Sequence, residues 1–142
     1  MTATTGAATA LAAKYATQYS WTLNTNIFDR PEHVVNAQAS PGNAYKAVNA
    51  VFVVDYGGPA PLPFLDGGTN SDYESAVQVL VRNTDYDTAR GTAIDLLHYT
   101  QELTMTGYYS VLCSQSVPQQ LPSNDFKQFR FVFNVRLRKV EA

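Results

Sequence analysis

From residue 129 onward apolar and polar residues alternate: Phe129, Phe131, Phe133, Val135 and Leu137 interleave with Arg130, Val132, Asn134, Arg136 and Arg138. A period of two turns successive side chains to opposite sides of a pleated strand, so the run predicts a strand with one face in a core. Val77, Val79 and Val81 alternate in the same way with Gln78, Leu80 and Arg82, predicting a strand that begins near Tyr73 with one apolar and one mixed face. Val51-Phe52-Val53-Val54 is a β-branched and aromatic run ended by Asp55-Tyr56-Gly57-Gly58, which reads as a strand followed by a turn. Residues 51–82 are therefore expected to form an antiparallel pair. Its loop is wide, because Pro59, Pro61, Pro63, Gly67 and Gly68 oppose regular structure until about Asp72. Residues 108–115 are rich in strand formers and are separated from the last strand by a breaker-rich loop at 118–125.

Two segments carry a helical period instead. Leu11, Tyr15 and Tyr19 recur every four residues beside Ala8 and Ala12, predicting a helix over about residues 5–19. Tyr86, Ala89, Ala93, Leu96, Leu97 and Leu103 form one stripe with Ile94 at its margin, while Asp87, Arg90, Asp95 and Glu102 fall largely outside it. Asn83 or Asp85 can cap this second helix, placed at about residues 85–103. Residues 20–49, broken by Pro31 and Pro41-Gly42, read as a long irregular connection of a kind that often carries function. The order α-β-β-α-β-β predicts an α+β fold in which two helices pack on one face of a mostly antiparallel sheet. At 142 residues, one domain over 1–142 is the expectation.

Composition narrows the function classes. Charged residues make up 15% of the chain, below the roughly 25% of an average domain, which favours some surface facing protein instead of water. A net charge of −2 gives no general attraction to nucleic acid or to anionic membrane. The positive charge is nonetheless concentrated: residues 126–142 hold Lys127, Arg130, Arg136, Arg138 and Lys139 against Glu141 alone. Cys113 is the single cysteine, cannot close an intrachain disulfide, and reads as a buried small hydrophobe. No apolar run approaches the roughly 18 residues of a membrane span, so a soluble protein made in the cytosol is expected.

No catalytic, metal or cofactor set emerges, and the expectation is a protein that is not an enzyme. The two histidines, His33 in the irregular connection and His98 on the second helix, have no nucleophile or ligand set at a useful spacing. His98 reads as a partly buried helix residue. Gly57-Gly58 and Gly67-Gly68 are not followed by Lys and Ser or Thr and open no predicted helix, so they read as loop and not as a phosphate cradle. Asp66, Asp72 and Glu74 read as a solvated acidic loop, too sparse for a calcium site.

The polar face of the last strand is more informative. Arg130, Arg136 and Arg138 point one way, with Arg136 and Arg138 about 7 Å apart and Arg130 roughly 20 Å from Arg136. A solvated face, a charged subunit contact and a nucleic-acid backbone contact all fit that spacing. Base stacking does not, since no aromatic interleaves the arginines.

Three motifs in order resemble a known family: the Val51–Gly58 run with its Pro-rich loop, the strand Val77-Gln78-Val79-Leu80-Val81-Arg82, and the helix opened by Tyr86 and Ala89. The chain is similar over most of its length to the tail terminator, or minor capsid (tail completion), proteins of tailed bacteriophages. Asn26-Ile27-Phe28 with Pro31 resembles the segment after the first helix of that family, whereas residues 34–45 fit the pattern less closely. The resemblance implies a virion protein at the head–tail junction, assembled in the host cytoplasm as a homo-oligomer, commonly a hexameric ring. Such a ring stops tail-tube growth, meets the tail tube protein and the head–tail connector protein, and admits genomic DNA through its lumen. A neck or stopper protein is the alternative from the same class, and a nucleic-acid-binding module using the basic last strand is the alternative from another. A ring of head-to-tail contacts needs two different patches per subunit. The candidates are Leu62, Phe64 and Leu65 in the loop at 57–68, the connection at 24–43, Gln78 and Arg82 on the mixed strand face, and Arg130, Arg136 and Arg138.

Overall fold

The computed structural model describes residues 6–32, 49–57, 62–63, 71–122 and 128–141, with 62, 63 and 141 described by backbone alone. In chain order the elements are α1 (Ala7–Tyr19), β1 (Ile27–Phe28), β2 (Ala50–Asp55), β3 (Leu62–Pro63), β4 (Ser71–Asn83), α2 (Tyr86–Gln101), β5 (Ser110–Cys113), β6 (Gln119–Leu121) and β7 (Phe129–Glu141). The α+β class holds. The finer expectation does not: the sheet is mixed, because β1 runs parallel to β2, and β1, β3 and β6 add strands to the expected order.

The main path through the sheet is β1-β2-β4-β7-β5. β2 pairs antiparallel with β4 from Ala50↔Arg82 to Asp55↔Val77, as the alternation in both segments requires. β4 and β7 pair along their whole lengths, from Ser71↔Glu141 to Asn83↔Phe129. β5 and β6 both line the other side of β7, at Ser110↔Arg138 to Cys113↔Val135 and at Gln119↔Val132 to Leu121↔Arg130. β3 adds to β4 at Leu62↔Asp72, inside the stretch where prolines argued against a strand. Two paired residues suffice there, and Pro63 lies at an edge, where a missing N–H costs no interior ladder bond.

Both helices cover one face. Val51, Val53, Val77, Val79, Val81, Phe131, Phe133, Val135 and Leu137 meet Leu11, Ala12 and Tyr15 of α1 and Ala89, Ala93, Leu96 and Leu97 of α2 in the main core. Tyr15 is fully buried and its hydroxyl is hydrogen-bonded to Thr100 Oγ1, which itself donates to the Leu96 carbonyl at 2.7 Å. One stripe residue departs from expectation, Tyr86, which is 39% exposed, and Thr100 from outside the stripe joins the buried set with Tyr15 as its partner.

The helix starts are capped differently. Asp85 precedes α2 and accepts the Thr88 N–H at 2.9 Å, the local cap expected from its position. α1 starts at Gly6, which offers no side chain, and Asp55 at the end of β2 instead accepts the Ala8 N–H at 3.0 Å. Asp29, just after β1, adds a bond from the Thr9 hydroxyl at 2.9 Å. Two carboxylates from the sheet edge thus sit at the positive end of the helix dipole and fix α1 on the sheet.

Candidate functional site: the helix-free sheet face

Even-numbered residues of β2, β4 and β7 turn away from the helices, and register aligns them in rows. At one end of this face Phe28, Ala50, Phe52, Leu80 and Val132 form a second, small core. Phe28 stacks on Phe52 with centroids 5.3 Å apart, and the Arg82 guanidinium lies 4.8 Å from the centre of the Phe52 ring. Arg82 is 1% exposed, so its charge needs a partner brought in from elsewhere. Glu32 supplies it: one carboxylate oxygen accepts from Arg82 Nη1 at 2.8 Å and the other from Arg130 Nη2 at 3.0 Å. Burial pushes the Arg82 guanidinium below its ordinary pKa, and the Glu32 hydrogen bond opposes that shift. A groove of about 420 Å³ beside this clamp is lined by Pro31, Glu32, Phe52, Val54, Gln78, Leu80, Leu121 and Arg130.

The other end of the face is open. Asp72 and Glu74 on β4 oppose Val140 and Arg138 on β7, and Arg136 stands next along the strand. Arg138 Nη2 meets Asp72 at 3.0 Å, and Tyr109 donates its hydroxyl to the other Asp72 oxygen at 2.5 Å. Arg136 is held loosely, 4.0 Å from Glu74 and 3.4 Å from Ser114 Oγ, with 56% of its side chain exposed. Leu112, opposite Arg136, is 54% exposed, and beside Asp72 Tyr109 is 57% and Val140 51% exposed.

The structure therefore separates the residues singled out by sequence. Arg130, Arg136 and Arg138 do share one face, as the alternation implies. Arg82 is not available to a neighbouring subunit, since it is buried under Phe52 and Glu32, while Gln78 on the same strand is exposed at the edge of the groove. Asp72 and Glu74 belong to β4 and pair with Arg138 and Arg136, so the solvated-loop reading gives way to an ionic ladder. His98 is exposed on α2, not partly buried, and Cys113 is half-buried with its thiol 3.7 Å from the Leu97 carbonyl. Leu62 is placed by backbone only, and Phe64, Leu65, Asp66, His33 and most of the connection at 24–43 lie outside the described residues. Glu32 was missed by sequence reading. The signal was the strand arginine Arg82 in a run otherwise fit for burial, which implies an acid somewhere without saying where.

Among the described residues no three His, Cys, Asp or Glu side chains gather as a metal set, and no helix is long and apolar enough to cross a membrane. No protein-family model matches the chain, and no curated protein matches it.

Proposed function

We propose that the chain is a structural virion subunit, a ring-forming tail terminator that caps the head-proximal end of a phage tail tube and presents the surface for the head connector. The observation that carries a role in binding protein is the open half of the sheet face. There Leu112 stands exposed opposite the loosely held Arg136, and Tyr109 and Val140 stand exposed beside Asp72 farther along the same end. Arginine and aromatic side chains grouped with apolar ones make up the surface that protein interfaces favour, and an exposed apolar patch rimmed by charge suits a partner. The station in a tail rests on the resemblance of the strand and helix motifs.

A nucleic-acid reading is less well supported by the same geometry. Arg130 and Arg138 each give a 3.0 Å contact to a carboxylate, so a phosphate would have to displace Glu32 or Asp72 to reach them. Light scattering after size-exclusion chromatography, together with electron microscopy of tail tubes incubated with the protein, tests the proposal. A ring at one end of the tube is the expected result, and a monomer that ignores tubes at every concentration would refute it. Binding at the portal side and not at the tube would transfer the chain to the neck proteins.

A further inference from the structure

At the end of the sheet where β1 and β2 start and β4 finishes lies a second pocket, of about 260 Å³. Val51 and Val81, partners across β2 and β4, line it from the sheet. Thr88 and Thr92, one turn apart and so on one face of α2, line it from the helix. Asn26 joins the wall from just before β1, Asn49 from just before β2 and Asn83 from the end of β4, with Trp21 from the turn after α1.

The three amides are already oriented. A backbone N–H can only donate, so the end of an Asn side chain that meets one must be its oxygen. Asn26 Oδ1 accepts from the Thr22 N–H at 3.1 Å, Asn49 Oδ1 from the Thr84 N–H at 3.3 Å and Asn83 Oδ1 from the Asp85 N–H at 2.9 Å. Each is left with its NH2 group, which has no hydrogen-bond partner among the described residues, and the Thr92 hydroxyl has none there either. Thr88 gives its hydroxyl proton to Asp85 at 2.6 Å and keeps only the capacity to accept.

Trp21 is fixed as well. Ser20 turns the chain out of α1 with a φ of 57°, and the Trp21 N–H returns to the Ala16 carbonyl at 2.9 Å. Tyr19 stacks on the indole at 4.8 Å without joining the pocket wall.

This inventory selects a ligand class. Arg82 is the only ionic residue on the wall among the described residues, and Glu32 already accepts from its guanidinium at 2.8 Å. A phosphate or carboxylate would therefore have to compete with Glu32. A nucleobase edge sets donors beside acceptors, whereas the uncommitted groups here are mostly donors. Neutral donors beside an indole suit a ring with oxygen acceptors around its rim and apolar C–H groups on its face. The volume lies just below the roughly 300–1,000 Å³ of drug-sized sites and has room for one such ring.

We propose that this pocket binds a neutral pyranose sugar. Its hydroxyl and ring oxygens accept from the Asn26, Asn49 and Asn83 amides, one hydroxyl is shared with Thr92, and its C–H face lies against Trp21.

Trp21 is the single tryptophan of the chain, so its fluorescence reports on this pocket alone. The full chain is titrated with the methyl glycosides of glucose, galactose and mannose and with N-acetylglucosamine. At least one should give a saturable change with a Kd of about 1 mM, the affinity of a small ligand gaining an ordinary increment per atom. Under the same titration the side-chain NH2 signals of Asn26, Asn49 and Asn83 should shift in nitrogen–proton NMR spectra. Thr92→Val keeps the β-branched shape and breaks no hydrogen bond among the described residues, so it should raise that Kd about fivefold with the thermal melt unchanged. Asn26→Ala, in an exposed turn, should raise it about tenfold. Inorganic phosphate and adenosine monophosphate are the contrasting probes, and a response to either with all four sugars silent would overturn the proposal in favour of an anion or base site. Silence toward every sugar up to about fifty times the expected Kd, or unchanged affinity in both variants, would overturn it too. No tail tube enters the experiment, so its outcome is separate from that of the ring reading.

Discussion

Removing the Glu32 carboxylate should cost more stability than removing either arginine it holds. The Arg82 side chain is fully buried and that of Glu32 is 12% exposed, so Glu32→Ala takes an ionic partner from a guanidinium where water cannot replace the lost oxygen. Breaking a buried pair from one side typically costs about 3–5 kcal/mol. Two features place this case near the bottom of that range: the Phe52 ring 4.8 Å away keeps a cation–π attraction of about 1 kcal/mol, and Glu32 is partly wet. The expectation is a loss of about 3 kcal/mol, or a melting temperature lower by roughly 10 °C for a domain of this size. Arg82→Met behaves differently, because Glu32 keeps its 3.0 Å bond to Arg130 and an apolar chain of similar length fills the space beside Phe52. It should cost about 1 kcal/mol or less. Urea unfolding of the two variants, with equal m-values, measures both numbers. If Arg82→Met proves as damaging as Glu32→Ala, the buried charge is not what the carboxylate serves, and the account of this clamp is wrong.

A similar asymmetry holds between the helices: Tyr15→Phe leaves Thr100 bonded to the Leu96 carbonyl and should cost about 1 kcal/mol, whereas Thr100→Val orphans the buried Tyr15 hydroxyl and should cost about 2 kcal/mol by the same urea assay. Burial pushes the Cys113 thiol from 9.0 up to about 11, so at pH 8 its labelling by a disulfide reagent should run about 100-fold slower in the folded protein than in urea. The raised value means the folded state holds this proton longer, so the contribution to stability is full below pH 9 and is lost as pH climbs toward 11; Cys113→Ala should flatten that alkaline decline. Asp85 runs the other way. Its carboxyl is held below the ordinary 3.8 by the Thr88 hydroxyl and then the Thr88 N–H, so its contribution is present above that pH and lost in more acid solution. A melting curve of Asp85→Asn against pH should accordingly be flatter on its acid limb, and an unchanged slope would remove Asp85 from the acid response.

What the residue pattern revealed, and what it hid, follows from the range of the interactions. Phe129 to Leu137, the valines at 77, 79 and 81, and the Asp85 cap are local signals, written within one element, and each stands where its period placed it. β1, β3 and β6 span two or three residues, too few for any period to show, and exist because β2, β4 and β7 offer them an edge. The cap of α1 was invisible for a related reason, since Asp55 lies 47 residues from the Ala8 amide it serves. Arg82 shows the limit most sharply. Alternation correctly put it on the face away from the helices with Gln78, but whether that face is wet at a given row depends on Phe28, Phe52 and Glu32. The Arg136–Arg138 end of the same strand pair has no such cover among the described residues, so one sequence pattern yields a buried ion pair at one end and an exposed patch at the other.

The full-length pairing of β4 with β7 also has a mechanical meaning. Thirteen residues on each strand make a ribbon about 40 Å long that runs the length of the sheet, with the Arg82 clamp near one end and the Asp72–Arg138 ladder near the other. Tension applied along the strands between those ends would load all of its rungs in shear together, and no single hydrogen bond could yield first. A load across the strands would instead open the pair rung by rung, like a zip. The molecule is therefore stiff in one direction and weak in the other, and a subunit placed in a stressed assembly would best be oriented with this ribbon along the line of force.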